Sequence, residues 1–539
     1  MPLFTVPLFA LNQMPGLVPK VFLYPLLTIF VLGAILAIFF SRHPDATPPV
    51  EPDTADEEDE SDGRSPARPF FFVHYDRVVP AVIATLFYLL ALWRLDYPHK
   101  QVFDEVHHVR TAMEFVQGAN PHEWTHPHLS KLLQAGSLAL AREYFDPSDN
   151  AWSPDQVMTS RAAMAWRLPS VLFGSLALLG VYALARALFK NRPVATIAML
   201  LLAMDGVFFV QSRIAMTNIF TVCFITWAAW AAWRWTEEQK ARHIFATGAF
   251  LGLALATRWS SLYAFVLLVV FILADGISRW KKTEYSAGFF FARAALFIPA
   301  FVLVPVIIYA LSYIPYVLQG DGNLAQKLLS WNYNSNGWEK VLSMQGDMYR
   351  YHSELKADHG YDSPAWSWPL MLRPVWYFYE QSGAQGAEKV RGIWCIGNAF
   401  IWWAILPTMA IGTWLAVRFR RGNLALLCLL GLGQWFCWLA KARGLNFMHY
   451  LFEAIPFVCI SLAYFMVTLW AGNGEKNTHK NRHLYGDVPA ENREQWRTVV
   501  LSYLTATVLW FVFYYPMLTA YQIPGRYSQM HFWLERIWI

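Results

Sequence analysis

Long apolar runs, each near the twenty residues a helix needs to cross a bilayer, alternate with polar stretches along most of this 539-residue chain. About twelve stand out, roughly at 21–40, 78–95, 167–189, 193–211, 214–234, 243–258, 259–276, 290–318, 394–417, 424–440, 449–470 and 498–517. They predict an all-α polytopic membrane protein. Composition agrees: 56% hydrophobic, 17% aromatic and 15% charged side chains exceed what a soluble core can hide.

Charge adds orientation. Basic clusters stand between alternate runs, at Lys190 and Arg192, Arg234 to Arg242, Arg279 to Lys282, Arg418 to Arg421, and Lys476 to Arg482. The excess of Lys and Arg assigns those loops to the cytoplasm, and loops 96–166 and 319–393 then face outward. The net charge of +5 is spread over these span ends and gives no reason to expect a nucleic-acid partner. Pro48 to Pro69, with Glu57-Glu58-Asp59-Glu60, has no hydrophobic period and reads as an acidic disordered linker on the cytoplasmic side. The run before it is then an added helix with its N-terminus outside. It is too long and too lightly charged in front for a cleavable signal peptide. The five cysteines stand singly and read as packing residues.

Loop 96–166 carries the candidate chemistry. Phe103, Val106, Val109, Met113 and Val116 recur at helical spacing, placing Asp104 and Glu105 in the first turn of a surface helix. Carboxylates there could simply complement the helix dipole. A second amphipathic segment follows Pro127, with Leu129, Leu132, Leu133, Gly136 and Leu140 on one side and Lys131 and Gln134 toward water. An acid pair, His126 and His128 around a proline, and Lys131 together suggest chemistry on a lipid-borne phosphate. His107, His108, His122, His126 and His128 crowd the loop without the spacing of a divalent-metal site, so no metal is expected. Trp124, Trp152, Trp331, Trp338, Trp366, Trp368 and Trp376 read as an interfacial belt, with a sugar-stacking platform as the second reading. Arg258 is a charge near the outer boundary and a functional candidate without a nameable role.

Several motifs in order resemble those of the protein O-mannosyltransferases, polyprenol-phosphate-dependent enzymes of the GT-C fold class. They are Phe103-Asp104-Glu105, His126-Pro127 with Lys131, Arg167-Leu168-Pro169, Met204-Asp205-Gly206, Gln211-Ser212-Arg213, Arg373-Pro374-Val375-Trp376, Gly397-Asn398 with Ile401-Trp402-Trp403, His449-Tyr450, and Tyr515-Pro516. The resemblance spans roughly 80–539. His128 and Ser130 stand where the family usually has Pro and Gly, and Asn218 where it often has an acid. The β-trefoil insert of eukaryotic members is absent, so the prokaryotic form is the nearer one.

The resemblance implies a GT-C bundle of about 11 core spans plus one extra N-terminal helix. The chain divides into that helix (1–47), the acidic linker (48–77), a catalytic transmembrane module (78–318) with the first outer loop, a second outer loop (319–393) and a C-terminal four-helix module (394–539). The expected reaction moves mannose from a polyprenyl-phosphate-sugar to Ser/Thr hydroxyls of exported proteins, by inverting single displacement on the extracytoplasmic face of a prokaryotic cell membrane. Its oxocarbenium-like transition state needs a base for the acceptor and cations for the departing phosphate. Asp104 is the expected base and Glu105 its support, since adjacent helical residues point about 100° apart. Arg167 is the leading phosphate ligand, with its planar fork, followed by Arg213 and Lys131. His126 and His128 are assigned to the acceptor or the loop. The lipid-linked sugar is a co-substrate, and no cofactor is expected. Membrane lipids, and the export machinery, complete the expected partners. Another sugar, a glycolipid acceptor, or a twelve-span transporter are the alternatives; a transporter would gather polar residues at the midplane of repeated halves, whereas here they gather at a surface.

Overall fold

The computed structural model describes residues 74–142, 160–319, 324–329, 331, 337–384, 387–440, 444–471 and 493–533. The extra N-terminal helix, nearly all of the acidic linker and Trp152 lie outside the described residues. The chain divides into two units at Ile83; of the first only residues 74–83 are described, the start of helix α1 (Tyr75–Leu92). All else below belongs to the second, Ala84–Ile539.

Each of the eleven apolar runs from residue 78 onward corresponds to helix. Among the described residues eight helices are long and apolar enough to cross a membrane, and two shorter apolar ones accompany them. After α1 come the amphipathic pair α2 (Glu105–Gln117) and α3 (Leu129–Leu140), then α4 (Ser160–Phe189), α5 (Arg192–Ala203), the short α6 (Gly206–Gln211), α7 (Asn218–Glu238) and α8 (Ala241–Leu255). Helices α9 (Ser261–Lys281), α10 (Ala287–Ala294) and α11 (Val304–Val317) follow, the last two joined through a π-turn at Pro299–Leu303. Pro305 cannot donate to the turn before it, and the wider turn takes up that mismatch. The expected run at 193–211 is broken at Asp205, which caps α6 by accepting from Phe208 N at 2.9 Å.

The interior is built on α7, which is buried along most of its length and packs against α4 and α8. Small residues make close packing feasible: Ala228, Ala229, Ala231 and Ala232 are fully buried. A Cβ on Gly248 would lie 1.8 Å from the Ala300 carbonyl oxygen, so only glycine lets α8 approach the π-turn. By contrast α9 and the α10–α11 segment expose Leu262, Val266, Val270, Ile298, Val306 and Ile307, the faces expected to meet lipid.

The second loop is more structured than an all-α reading allows. Helices α12 (Leu324–Leu329) and α13 (Trp338–Glu354) precede an antiparallel hairpin, β1 (Val375–Ser382) and β2 (Lys389–Cys395), and β2 also pairs with β3 (Ile523–Pro524) near the C-terminal end. Trp376 stacks on Trp394 across the hairpin with ring centres 4.8 Å apart. Trp368 is fully buried. Of the expected belt residues, Trp368 and Trp376 are therefore core; Trp331 and Trp366 are exposed. The remaining helices are α14 (Ala399–Trp402), α15 (Ile405–Arg418), α16 (Gly422–Ala440), α17 (Ile455–Ala471), α18 (Arg493–Leu518) and α19 (Gly525–Gln529).

Candidate active site

The polar islands fold onto the end of α1, against Arg167 of α4 and against the loops before α7 and α9, and they sort into neighbourhoods of different character.

The first is a closed ion pair. Glu105 is fully buried and Arg167 is 1% exposed. Arg167 donates from Nε to Glu105 Oε1 and from Nη2 to Glu105 Oε2, both at 2.9 Å. Its other N–H groups go to the Leu95, Pro98 and Lys100 carbonyls at 3.0, 3.0 and 2.9 Å. All five guanidinium donors are therefore committed. Glu105 also accepts from Val102 N at 3.0 Å and Ala215 N at 2.9 Å. The phosphate-gripping role expected for Arg167 does not fit this geometry, because no N–H remains to grip with. The pair instead ties the approach to α2 to α4 and to the start of α7.

The second is centred on Glu123, a residue the sequence reading passed over although it lies three positions before His126. Its carboxylate takes Nζ of Lys131, His126 N at 3.0 Å and the His126 ring at 3.2 Å. Lys131 spends its other protons on the Glu123 and His126 carbonyls, both at 2.8 Å. A fully buried lysine with three protein acceptors is not the snorkelling side chain expected, nor has it a proton left for a phosphate. Burial would raise the Glu123 carboxyl, yet Lys131 and the His126 hydrogen bond outweigh it and hold it well below the ordinary carboxylate range. His352 of α13 reaches the Thr125 carbonyl at 2.6 Å, tying the two loops together.

Arg213 is likewise engaged. It donates to the Trp93 carbonyl at 2.8 Å and the Arg94 carbonyl at 3.2 Å, and also to Ala91, capping the C-terminal end of α1. His128 packs among Tyr313, Phe115 and Tyr316, at ring distances of 4.4, 5.1 and 5.9 Å, with neither ring nitrogen bonded. Its assigned contact with an acceptor does not fit a fully enclosed aromatic cluster.

Asp104 is different. It stands at the cap position of α2 but makes no capping bond, so the bland reading of the acid pair does not describe it. Phe103 before it has a left-handed φ of 50°, a costly setting for a bulky residue. The Phe103 ring is held there by Tyr377 at 4.5 Å, Phe447 at 6.0 Å and His449 at 6.1 Å. Among the described residues the Asp104 carboxylate accepts no hydrogen bond. Burial raises its pKa above the ordinary carboxylate value, against the pull of His107, His126 and Arg258, while Glu123 adds to the rise. Arg258 is 7% exposed, lies over the Tyr450 ring at 4.6 Å and donates to Asn218 Oδ1. Among the described residues that is the one hydrogen bond its guanidinium makes to protein. Glu453, buried nearby, accepts from the Ser260 hydroxyl.

The structure thus brings Asp104, His126 and Arg258 into one electrostatic neighbourhood and engages Glu105, Arg167, Lys131 and Arg213 in scaffold. The motif pieces Asp205, Asn398 and Trp402 also meet: Asp205 Oδ2 accepts from Trp402 Nε1 at 2.7 Å and from Asn398 N at 3.1 Å. Adding a Cβ at Gly206 would place it 2.2 Å from the Ile396 carbonyl oxygen, which explains that glycine. Among the described residues no three His, Cys, Asp or Glu side chains are grouped as a metal ion would need.

The comparisons with known proteins accord with this architecture. A family profile described as dolichyl-phosphate-mannose-protein mannosyltransferase matches residues 81–319, and one described as the C-terminal four-transmembrane region of protein O-mannosyltransferase matches 337–537. The chain is 26% identical over 488 residues to the polyprenol-phosphate-mannose–protein mannosyltransferase of Corynebacterium glutamicum, covering 80% of this chain and 87% of that one. It is 22% identical to the protein of the same name from Mycobacterium tuberculosis, covering 84% and 90%. The fold matches a chain of the Saccharomyces cerevisiae protein O-mannosyltransferase Pmt1-Pmt2 complex bound to the sugar donor, with a TM-score of 0.70 at 14% identity over 86% of this chain and 93% of that one. The chain belongs to the protein O-mannosyltransferase family, integral membrane glycosyltransferases of the GT-C fold.

Proposed function

We propose that this protein transfers mannose from a polyprenyl-phosphate-mannose donor to Ser or Thr hydroxyls of protein, on the extracytoplasmic face, by single displacement with inversion. The relatives' names supply the donor and the protein acceptor. The positive-inside distribution of the basic loops supports the face.

The observation that carries the mechanism is the Asp104 carboxylate, which accepts no hydrogen bond among the described residues and lies within the electrostatic reach of Arg258. As the hydroxyl oxygen bonds to the anomeric carbon, its proton passes to Asp104, whose raised pKa makes it a better base than an exposed carboxylate. Negative charge collects on the departing phosphate, and Arg258, with one of five donors spent, has N–H groups to meet it. The neighbouring carboxylates of Glu105, Glu123 and Glu453 are each bonded within the protein. Among the described residues that leaves no second carboxylate placed as a nucleophile, which favours one displacement over two. Glu105, Arg167, Lys131 and Arg213 then act by holding the loop, and His126 by shaping the field at Asp104.

Transfer from radiolabelled polyprenyl-phosphate-mannose to a Ser/Thr-rich peptide by the purified chain tests this. Arg258→Gln should lower transfer about 10²-fold, near the loss of one oxyanion donor, with the fold intact. Full transfer by Arg258→Gln would remove it as the phosphate ligand. Sealed vesicles of known orientation, given peptide on one side only, test the face.

A further inference from the structure

A second polar site lies on the same end of the molecule as Asp104 but on other elements. Arg94, just past α1, Glu388 and the β2 residues Lys389 and Arg391, Tyr521, and Arg526 of α19 line an open cleft of about 750 Å³. Four of these side chains are cations and one is an acid. The Nε atoms of Arg94 and Arg391 are buried and have no hydrogen-bond partner. The two guanidinium groups lie 4.9 and 5.4 Å from the centre of the same Tyr97 ring, so like charges are gathered at one place. Glu380 is paired with Arg391 at 3.5 Å on a half-exposed rim, one carboxylate against four cations. Such a concentration of positive charge with orphaned donors is what an anion would relieve.

The surroundings indicate which anion. Arg94 follows Trp93, which is 44% exposed and continues the outward row of Leu86 and Leu89 on α1. Trp93 stacks on Tyr521 at 5.9 Å and on Tyr515 at 5.8 Å, an aromatic group of the kind found at the level of lipid headgroups. The cleft therefore opens beside an apolar helix face with its cations just beyond the aromatic level. Its volume exceeds that of a lone phosphate and suits a headgroup with its glycerol.

We propose that this cleft binds the phosphate of an anionic phospholipid, held by Arg94 and Arg391 with Lys389 and Arg526 at the mouth, at a place separate from the donor site at Asp104 and Arg258. Basic clusters at a membrane surface attract anionic lipid in this way. Because no residue of the cleft takes part in the transfer mechanism, binding can be read without activity.

The test uses the purified full chain in a neutral detergent, titrated with short-chain phosphatidylglycerol, phosphatidylcholine or inorganic phosphate, with intrinsic Trp fluorescence and thermal unfolding as readouts. Phosphatidylglycerol should saturate a site and raise the unfolding temperature, phosphatidylcholine should do neither, and Arg391→Gln should weaken binding about tenfold, the loss of a charge-assisted contact. The exposed Arg526→Gln, which cannot unsettle the core, should weaken it a few-fold and flatten its salt dependence. Equal protection by inorganic phosphate would support the anion site but assign it to free phosphate. Equal affinity for phosphatidylcholine, displacement of the lipid by an acidic peptide, or unchanged affinity in both variants would overturn the proposal. Loss of transfer by Asp104→Asn with lipid binding retained would separate this site from the catalytic one.

Discussion

Asp104 and Glu105 are neighbours in sequence and share a side-chain chemistry, yet the structure treats them oppositely. Glu105 accepts four N–H groups, two from Arg167 and two from the backbone of Val102 and Ala215. Asp104 accepts none among the described residues and is raised in pKa by burial. The same contrast separates Arg167, with five committed donors, from Arg258, with one. A buried charge whose hydrogen-bond capacity is full serves the scaffold; a buried charge with capacity left over costs stability and is retained for what it does to a ligand.

Asp104→Asn breaks the comparison most directly. Removing a general base lowers transfer by about 10²–10⁴-fold. Because the carboxylate accepts no hydrogen bond among the described residues, the variant should unfold at or slightly above the wild-type temperature. A large fall in unfolding temperature would show that Asp104 is scaffold after all.

Arg167→Gln should do the reverse. It strands Glu105 as a buried unpaired carboxylate, and breaking such a pair costs about 3–5 kcal/mol. Most of the deficit should be in the yield and unfolding temperature of folded protein, with transfer per folded molecule much less affected. A double variant, Glu105→Gln with Arg167→Met, should recover part of the loss, since neither charge is left alone. A stable Arg167→Gln whose donor KM alone rises would restore Arg167 as a phosphate ligand.

These differences also mark what could be read from residue order. The apolar runs announced the helices because bilayer thickness fixes their length, and the period of Phe103, Val106, Val109 and Met113 announced α2. Asp104 could be chosen because its motif is local. The state of Arg167 could not, since its five acceptors lie at Leu95, Pro98, Lys100 and twice at Glu105, some 62 to 72 positions away. Glu123 carried only a weak signal, its spacing of three from His126, and its partner Lys131 looked like a surface residue on an amphipathic helix. The hairpin was hidden because β1 and β2 sit in a Trp- and Tyr-rich segment that composition alone reads as a membrane belt.

Acid sharpens the contrast further. Asp104 must be ionised to act, so transfer should fall as pH drops through a pKa that burial raises above the ordinary aspartate value. Glu123 is shifted the other way: its ionised form is favoured by folding, so its contribution is whole above the unfolded carboxylate pKa and is lost only as pH falls below that toward its depressed value. A window should therefore exist in which transfer has declined while the unfolding temperature holds. Profiles of kcat/KM and unfolding temperature against pH that fell together would mean that the acid limb reports loss of the loop rather than protonation of the base.

The smallest effect is expected at His128, where a motif position carries a polar side chain with nothing polar to do. Its ring lies 4.4 Å from Tyr313 and 5.1 Å from Phe115, and both nitrogens are buried without a partner. Burial pushes its pKa well below the usual histidine value, so it is neutral at physiological pH. Phenylalanine keeps the shape and removes two unsatisfied atoms. His128→Phe should thus leave transfer within about twofold and raise stability by roughly 1 kcal/mol, read as a higher unfolding temperature. A rise in acceptor KM with unchanged stability would instead return His128 to the acceptor site and move the boundary between scaffold and chemistry one residue beyond Pro127.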